Sequence, residues 1–498
     1  MALTREVSRS LKCIDHLTTL ERLVPGAPLH ESTTGRAGGF LLSTATPDPH
    51  PSRWKLAAYA APALPIAALT TPFGIYVPPF YATEMGLGLA AIGGIMMAAR
   101  IWDLVTDPIM GTLSDRHPSR WGRRRHWIVL SVPVLVPATL LVMFPTWFTG
   151  GQASKTYLTA SLFLLYLGMT MLMVSHMAWG AELSTDYNER SRFQGFREFA
   201  NQSGVVLVLA PILILEQSGY ALSRTVLVGA IGTYILVSLP LAVPIAVGFV
   251  GEGPARLSPA PGLRKSLQIL VTNRFMARIL IADLLIALPG AVRGSVYLFY
   301  ITAIVGAPEW SAVILASYFA AGPIAVPLWL WIARRVPKHR AAALGVLLHV
   351  IVSAGYLLPG EGDVWLFAGL FFASGIVYAG VPFLLRSMTA DVVDYDKLHT
   401  GQDRTGLYFS LITTTMKFGG ALGIGLAYPL LAWIGFEPRG PNDPDALDGL
   451  RHVYAFIPVF SELLVVALIF RFPLDEKMQR DIRARIAAHE AGSSPGDG

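Results

Sequence analysis

The chain has 498 residues, of which 53% are hydrophobic and only 14% are charged, and its mean hydropathy is +0.51. Soluble domains have about 25% charged residues, so this composition excludes a single soluble core, a disordered chain and a cytosolic enzyme, and leaves a polytopic membrane protein. The formal charge of +6 does not require a nucleic-acid partner, because basic residues of membrane proteins gather in cytoplasmic loops. The single cysteine, Cys13, excludes an intramolecular disulfide and a Cys-rich metal centre.

Residues 1–54 differ from the rest of the chain. They are rich in Ser, Thr, Pro and charged residues, and they contain no apolar run long enough to span a bilayer. The basic, apolar and small-residue regions of a secretory signal are also missing from them. We interpret 1–54 as a loosely ordered cytoplasmic extension, and it stays open whether the working protein needs it.

From Leu56 onward, apolar runs of roughly 20 residues follow one another, which is the length of a membrane-spanning helix. A polar stretch at 251–276 divides them into six plus six. The pattern predicts an all-α protein with bundles at 55–250 and 277–473, a cytoplasmic linker at 251–276 and a cytoplasmic tail at 474–498. The twelve or so runs cover about 57–83, 88–113, 126–148, 157–183, 197–217, 222–250, 277–305, 310–334, 340–360, 363–390, 405–434 and 453–472.

Basic residues are divided unevenly between the two sets of loops. One set holds only Lys155, Arg224, Arg439 and Arg451. Because cytoplasmic loops carry the excess of Lys and Arg, the richer set predicts a multi-pass protein of the plasma (inner) membrane with both termini in the cytoplasm. The richer set contains Arg116, Arg120, Arg123, Arg124, Arg125, Arg190, Arg192, Arg264, Lys265, Arg334, Arg335, Lys338, Arg340, Arg480, Arg483 and Arg485.

A weak internal repeat relates the two halves. Basic hairpins follow predicted helices 2 and 8, at 116–125 and 334–340, and acidic segments follow predicted helices 4 and 10, at 182–190 and 391–404. Two correspondences in the same register indicate duplicated halves. We therefore expect two pseudo-symmetric six-helix bundles.

The end of predicted helix 2 is the most distinctive run in the chain. It carries Trp102, Asp103, Asp107 and Pro108, and the loop Gly122–Arg125 follows it. This combination resembles the glycoside–pentoside–hexuronide:cation symporters, the melibiose-permease branch of the major facilitator superfamily. The resemblance extends over about 55–473 and is strengthened by Trp179, Glu182, Asp186, Arg190, Arg197, Lys417 and Gly420. It implies the major facilitator fold, with a cavity between two bundles and alternating access coupled to a cation.

Asp103 and Asp107 lie four residues apart in predicted helix 2, so they share one face with Arg100. A carboxylate in the hydrocarbon costs about 2.5–3.5 kcal/mol, so the pair needs a cation, a proton or a basic partner. It suits a monovalent ion or a shared proton, and a structural ion pair with Arg100 is the alternative. In the family, the matching carboxylates bind the cation and a helix 11 lysine contacts them. We expect a cation site made of Asp103, Thr106, Asp107 and Lys417, with a purely structural salt bridge as the alternative for Lys417.

Several charged or aromatic residues are candidates for contact with a substrate. Trp179 either stacks on a sugar ring or packs as an interfacial tryptophan. Arg197 matches a family arginine at the inner end of the cavity, and it either binds substrate or pairs with an acid such as Glu182. Asp283 and Arg293, ten residues apart in predicted helix 7, either contact substrate or neutralise each other. The expected cavity residues are Arg100, Ser175, Trp179, Arg197, Asp283 and Arg293.

The loop after predicted helix 2 is expected to be a cytoplasmic latch. Asp115 and the neighbouring arginines can form ion pairs across the hairpin and reach the helix 4–5 loop. Such a network should form in one access state and break in the other, and a plain role as positive-inside anchors is the alternative. The latch residues are Asp115, Arg116, Arg123, Arg124, Arg125, Asp186 and Arg190.

Predicted helix 1 departs from the sugar-transporting members of the family. Melibiose permease has an acidic residue there and another in helix 4, whereas no charge lies here between Lys55 and Glu84, and Ser175 stands one turn before Trp179. Carboxylates select sugars by accepting hydrogen bonds from adjacent hydroxyls, so their loss weakens the case for a sugar. It also removes a candidate cation ligand, which favours a proton over sodium.

Together these features predict a cation-coupled secondary transporter of a small organic solute, sugar-like by resemblance, with a proton or sodium as the coupling ion. We expect the substrate and the lipid bilayer as partners, a monomeric state, and no nucleic acid, metal ion or organic cofactor. No P-loop, nucleophile elbow, dinucleotide fingerprint or metal motif indicates an enzyme. Transport of a less polar, non-sugar solute and a non-transporting sensor or cofactor-handling role are the alternatives.

Overall fold

A computed structural model gives the structure of the protein and describes residues 51–117, 119–183, 187–217, 223–252, 273–401, 405–474 and 476–492. Within these ranges the chain is helical and forms no β-strand. The expected extension up to residue 50, most of the expected linker and the end of the expected tail lie outside the described residues. The domain boundaries therefore stay predictions.

Six long helices make up the first half of the chain. A turn at Ala61 and Pro62 interrupts the first of them. The fourth and sixth helices begin after Ser154 and Ser223, whose hydroxyls accept hydrogen bonds from backbone N–H groups of the first turn. The helices are α1 Arg53–Thr83, α2 Leu89–Arg116, α3 Arg125–Met143, α4 Lys155–Glu182, α5 Tyr187–Gln217 and α6 Arg224–Phe249.

Six further helices make up the second half. A π-helical turn, Ile301–Val305, extends the first of them, and a break at Ala379 and Gly380 divides the fourth. An additional helix, α13 Glu476–Gly492, follows the last long helix and packs against the fourth of the six. The six are α7 Arg274–Tyr300, α8 Ser311–Ala333, α9 Lys338–Gly355, α10 Val364–Thr400, α11 Thr405–Trp433 and α12 Pro444–Ile469.

Ten of these helices are long and apolar enough to cross a membrane. The other two are α9, which begins with Lys338 and Arg340, and α11, which carries Lys417, and these basic residues lower their hydropathy. The expectation of an all-α protein with about twelve spanning helices is confirmed. Three helix ends differ from the sequence prediction by nine or ten residues: α5 and α12 begin earlier, and α10 ends later. The reason is that apolar runs mark only the part of a helix that lies inside the hydrocarbon.

The two halves pack by the same rule. In the first half α1 packs on α5 and α6, α2 packs on α4, and α3 packs on α4 and α6. In the second half every one of these pairings recurs between helices six positions later. The two halves contact each other through three pairs of helices: α1 with α7, α2 with α11, and α5 with α8. When each helix is replaced by its counterpart in the other half, the same three pairs result. Two pseudo-symmetric six-helix bundles are therefore confirmed.

Small residues bring α11 close to α7. A Cβ placed on Gly423 would lie 2.6 Å from the Ala291 Cβ, and one on Gly419 would lie 2.8 Å from the Ala287 Cβ. Small residues four apart allow helix backbones to approach closely inside a membrane. This contact fixes the rotation of α11, so that Lys417 faces α2 in the other bundle.

The two ends of the bundles differ in how the halves meet. We call the end that carries the α2–α3 hairpin (117–124) the basic face and the other end the opposite face. At the opposite face one hydrophobic core includes Phe80 from the first half and Tyr300 and Tyr428 from the second, and Arg439 lies 3.3 Å from Glu84 across the halves. At the basic face a separate core holds only residues of the second half. The ion pairs there that join two described side chains also stay within one half.

Candidate cation site and central cavity

Lys417 joins the two halves at the expected cation site. Its ammonium group lies 2.8 Å from Oδ2 of Asp103 and in contact with Oδ2 of Asp107. The side chain of Asp103 is 6% exposed, whereas those of Asp107 and Lys417 are 22% and 21% exposed. Oδ1 of Asp107 has no hydrogen-bond partner. Two carboxylates therefore share one ammonium ion, and one carboxylate oxygen stays available.

Two threonine hydroxyls surround Asp103, and one of them is not in the expected site. Thr106 donates to the backbone oxygen of Asp103 at 3.1 Å and does not contact the carboxylate. Thr170 on α4 donates to Oδ1 of Asp103 at 2.9 Å, and the two hydroxyls lie 3.2 Å apart. The sequence did not indicate Thr170, because its pairing with Asp103 depends on how α4 is rotated against α2. The site thus offers two hydroxyl oxygens in addition to the carboxylates.

A cavity of about 350 Å³ lies between the bundles at the level of Arg100. Small ligands commonly occupy cavities of this size, about 300–1,000 Å³. Helix α1 contributes Thr70 and Thr71, and α2 contributes Arg100. The second bundle contributes Arg293, His349 and an aromatic wall made of Tyr297, Tyr318, Phe319, Tyr356, Phe371 and Tyr378. Arg100 and Arg293 are the two expected cavity residues that line it.

Arg293 belongs to a second ionic cluster, inside the second bundle. Its Nη1 donates to Nε2 of His349 at 3.1 Å, and its Nη2 contacts the Ser353 hydroxyl. Nδ1 of His349 lies 2.7 Å from Oε1 of Glu462, and Ser353 donates to Oε2 of Glu462 at 3.0 Å. Glu462 and His349 were not among the expected residues. A detectable signal was that Glu462 is the only charged residue in α12 after Arg451.

The other expected substrate residues do not line the cavity. Trp179 and Ser175 are fully buried within the first bundle, where the Trp179 indole donates to the Gly251 carbonyl at 3.2 Å and the Ser175 hydroxyl has no partner. Arg197 donates to Gln194 at 3.0 Å and does not pair with Glu182. Asp283 is buried, and no salt bridge joins it to Arg293. The family resemblance suggested Ser175, Trp179 and Arg197, and the ten-residue spacing to Arg293 suggested Asp283. Neither signal distinguishes the side of a helix that faces the cavity from the side that faces its own bundle.

The arginines of the expected latch fasten the hairpin to α4. Glu182 at the end of α4 accepts from Arg123 at 2.6 Å and from Arg124 at 2.8 Å, and Arg124 also contacts Asp115. Glu252 accepts from the backbone N–H groups of Arg124 and Arg125, at 2.9 and 3.0 Å. Arg116 is exposed and forms no ion pair with a described residue. Asp186 and the side chain of Arg190 lie outside the described residues.

Comparisons with known proteins agree with this architecture. The family model described as MFS/sugar transport protein matches residues 58–476. An uncharacterized symporter of Synechocystis sp. is 26% identical, over 85% of this chain and 94% of that protein. The glucuronide carrier protein homolog of Escherichia coli (strain K12) is 24% identical, over 83% of this chain and 90% of that protein. The crystal structure of the nucleoside transporter NupG aligns with a TM-score of 0.63 at 12% identity, over 85% of this chain and 100% of that one, and shows a shared fold.

Proposed function

The chain belongs to the MFS/sugar transport protein family, and from this premise we propose that it is a cation-coupled symporter of a small, sugar-like organic solute. The relatives named above as a symporter and as a glucuronide carrier homolog support both parts of the proposal. The protein acts as a transporter and not as an enzyme. Because all helices that enclose the cavity come from one chain, the transport unit is a monomer in the bilayer.

The contact between Lys417 and the two aspartates carries the proposal. Asp103, Asp107 and Lys417 together have a formal charge of −1, and the bundles that hold them have to move relative to each other during transport. A proton or a sodium ion at the carboxylates neutralises the cluster and competes with the lysine for the same oxygens. Binding of the cation therefore weakens an electrostatic tie between the bundles, because the attraction depends on the charge of each partner.

The proposed orientation follows from the charges of the two faces. The basic face is cytoplasmic by the excess of Lys and Arg in its loops, so both termini are in the cytoplasm of a cell whose inner membrane holds the protein. The bundles share a core at the opposite face and have separate ion pairs at the basic face. We propose that this arrangement is that of a transporter open to the cytoplasm, in which Asp107 and Lys417 stay partly exposed.

The latch belongs to the same proposal. In the state open to the basic face, Arg123 and Arg124 are paired within the first bundle, through Glu182. Closure brings the second bundle to the hairpin, and part of this network then exchanges its partners. The latch arginines therefore stabilise the hairpin within the first bundle in one state and contact the second bundle in the other.

The test is uptake into proteoliposomes that contain the purified protein. A panel of labelled monosaccharides, β-glycosides and glycosiduronates is supplied with an inward sodium gradient, an inward proton gradient or neither. We expect accumulation above equilibrium for at least one solute with one gradient, and its loss when an ionophore collapses that gradient. Equilibration without accumulation under both gradients contradicts cation coupling, and no uptake of any member contradicts a sugar-like solute.

A further inference from the structure

The central cavity is lined by positive charge without any carboxylate. Its ionisable lining residues are Arg100, Arg293, His349 and tyrosines, and no Asp or Glu is among the described residues that line it. The two arginines come from different bundles, since Arg100 lies on α2 and Arg293 on α7. A solute in the cavity therefore meets a guanidinium group on each side.

Arg100 has no counter-charge in contact with it. No described residue forms an ion pair with Arg100, and its Nε is buried without a hydrogen-bond partner. Its guanidinium group lies 5.2 Å from the centre of the Tyr166 ring. Asp103 is three residues away, but its carboxylate oxygens are bonded to Lys417 and Thr170. A buried guanidinium donor without an acceptor is costly, and an oxyanion in the cavity satisfies it.

Arg293 is held in place while one of its hydrogen-bond donors has no partner. Arginine has only donors, so His349 accepts through Nε2, and its Nδ1–H therefore donates to Glu462, which makes the histidine neutral. Glu462 lies 3.9 Å from Nη2 of Arg293 but 2.7 Å from His349. The Nε of Arg293 is buried and has no partner. The cluster thus fixes the guanidinium plane and leaves a donor unused.

We propose that the substrate is a small organic carboxylate whose carboxylate group is bound between Arg100 and Arg293. Its ring or apolar body lies on the aromatic wall. There the centre of the Phe371 ring lies 5.9 Å from that of Tyr318 and 6.0 Å from that of Tyr356. The transport step of this inference rests on the proposed function, whereas the binding site does not. The two arginines are substrate-binding residues from opposite bundles, so the carboxylate bridges the parts that have to move.

Charge balance explains why such a substrate suits a cation-coupled carrier. Arg100, Lys417, Asp103 and Asp107 have no net formal charge, and neither does the pair Arg293 and Glu462. One coupling cation adds a positive charge to this region, and one monoanion removes it again. Because an uncompensated charge inside a membrane protein is expensive, a carrier with only one partner bound changes state less readily than the doubly loaded carrier. Loading of only one partner leaves a net charge, which is the condition that enforces coupling.

The test compares two ligands that differ in one group. Isothermal titration of the purified protein in detergent measures binding of 4-nitrophenyl β-D-glucuronide and of 4-nitrophenyl β-D-glucoside, which has a hydroxymethyl group in place of the carboxylate. We expect the glucuronide to bind at least about tenfold more tightly, as hydrogen bonds to a charged group allow. A third ligand, 4-nitrobenzoate, distinguishes an aromatic acid from an acidic sugar: binding of either carboxylate above the glucoside supports the site, and failure of both contradicts it.

Substitutions locate the binding. Arg100→Gln should lower glucuronide affinity about tenfold and leave glucoside affinity unchanged, and it leaves no described carboxylate unpaired. Arg293→Lys keeps a positive charge beside Glu462, so it preserves the fold while weakening the glucuronide through the lost fork geometry. The control is Arg335→Gln at an exposed arginine on Trp331, which should keep the wild-type ratio. A wild-type ratio of the two affinities in Arg100→Gln contradicts the site.

Failure of this inference is distinguishable from failure of the proposed function. If the glucuronide binds more tightly but no cation gradient drives its uptake, the carboxylate site stands and the symport proposal fails. If a cation gradient accumulates the glucoside and not the glucuronide, symport stands and the carboxylate site fails.

Discussion

Two ionic clusters on the spanning helices differ in the bundles that they join. The Asp103, Asp107 and Lys417 cluster spans α2 and α11, which belong to different bundles, and two of its three side chains are about one-fifth exposed. The Arg293, His349 and Glu462 cluster joins α7, α9 and α12 of one bundle, and none of its side chains is more than 10% exposed. The first cluster has two acids and one base, whereas in the second cluster the charges of Arg293 and Glu462 cancel.

The difference indicates a division of labour. A cluster that spans the bundles changes its contacts whenever the bundles move, so its charge can control that movement. A cluster inside one bundle moves as a unit and can only hold Arg293 at a fixed place in the cavity wall. Coupling is therefore expected to depend on the first cluster, and stability and substrate position on the second.

The largest effect on stability is expected from the cluster within one bundle. Glu462→Gln leaves the buried Arg293 without a counter-charge, which should lower the free energy of unfolding by about 3–5 kcal/mol. Thermal unfolding in detergent measures this loss. The matched control is Glu84→Gln, which removes the partly exposed pair with Arg439 between the bundles and should cost less than about 1 kcal/mol. Similar losses of stability in the two variants would show that the cluster of Arg293, His349 and Glu462 stabilises the protein no more than the partly exposed pair of Glu84 and Arg439.

A somewhat smaller effect is expected at the cluster between the bundles. Lys417→Ala leaves two carboxylates without a base, so expression and thermal stability should fall. Adding Asp103→Asn removes one of these charges and should restore part of the loss, with a coupling free energy of about 1–3 kcal/mol in the double-mutant cycle. Additive losses would mean that Lys417 and Asp103 do not interact in the protein.

The hairpin at the basic face allows a test of local stability. Glu182→Gln weakens two arginine contacts at once, so amide hydrogen exchange in 119–125 should speed up about tenfold. Mass spectrometry of the exchanged protein reads this segment directly. Asp448→Asn, which removes a surface pair with Arg451 elsewhere, should leave the rate in 119–125 unchanged. If the exchange rate in 119–125 is also unchanged in Glu182→Gln, the latch arginines do not stabilise the hairpin and act only as positive charges that orient the protein in the membrane.

The smallest effect is expected at Ser175. Its hydroxyl is buried without a partner and outside the cavity, so Ser175→Ala should change stability by less than about 0.5 kcal/mol and leave uptake unchanged. Thr170→Val, by contrast, removes the hydroxyl that bonds Asp103 and should shift the apparent affinity for the coupling cation. Equal uptake kinetics in the two variants would exclude Thr170 from the ion site.

The sequence was sufficient for the features that depend on a single helix. Apolar runs predicted the spanning helices, and the four-residue spacing of Asp103 and Asp107 placed them on one face. A lone lysine in an apolar helix needs an acid, and the family resemblance, in which a helix 11 lysine contacts the helix 2 carboxylates, matched Lys417 to Asp103 and Asp107. Pairings across helices were mostly out of reach. Glu462 with His349, and Thr170 with Asp103, depend on which helices are neighbours and how each is rotated.

Substrate residues were the least predictable part. An aromatic residue in a membrane helix can face the cavity, its own bundle or the lipid, and periodicity does not distinguish the first two. Trp179 was a candidate either for stacking on a substrate or for packing, and it packs 5.9 Å from the Tyr59 ring inside the first bundle. The aromatic wall instead comes from α7, α8, α10 and the residue that follows α9, and apart from Arg293 the sequence marks it only by its aromatic residues.

The most direct test of the account is cation-driven uptake by Asp107→Asn in proteoliposomes, with the best substrate of the wild-type panel. The amide keeps the shape of the side chain and removes its charge, and Asp103 remains paired with Lys417, so the protein should stay folded. We predict no accumulation under a proton or sodium gradient, while exchange of labelled for unlabelled substrate across the membrane continues. Accumulation at the wild-type rate would contradict the assignment of the coupling site to the helix α2 carboxylates.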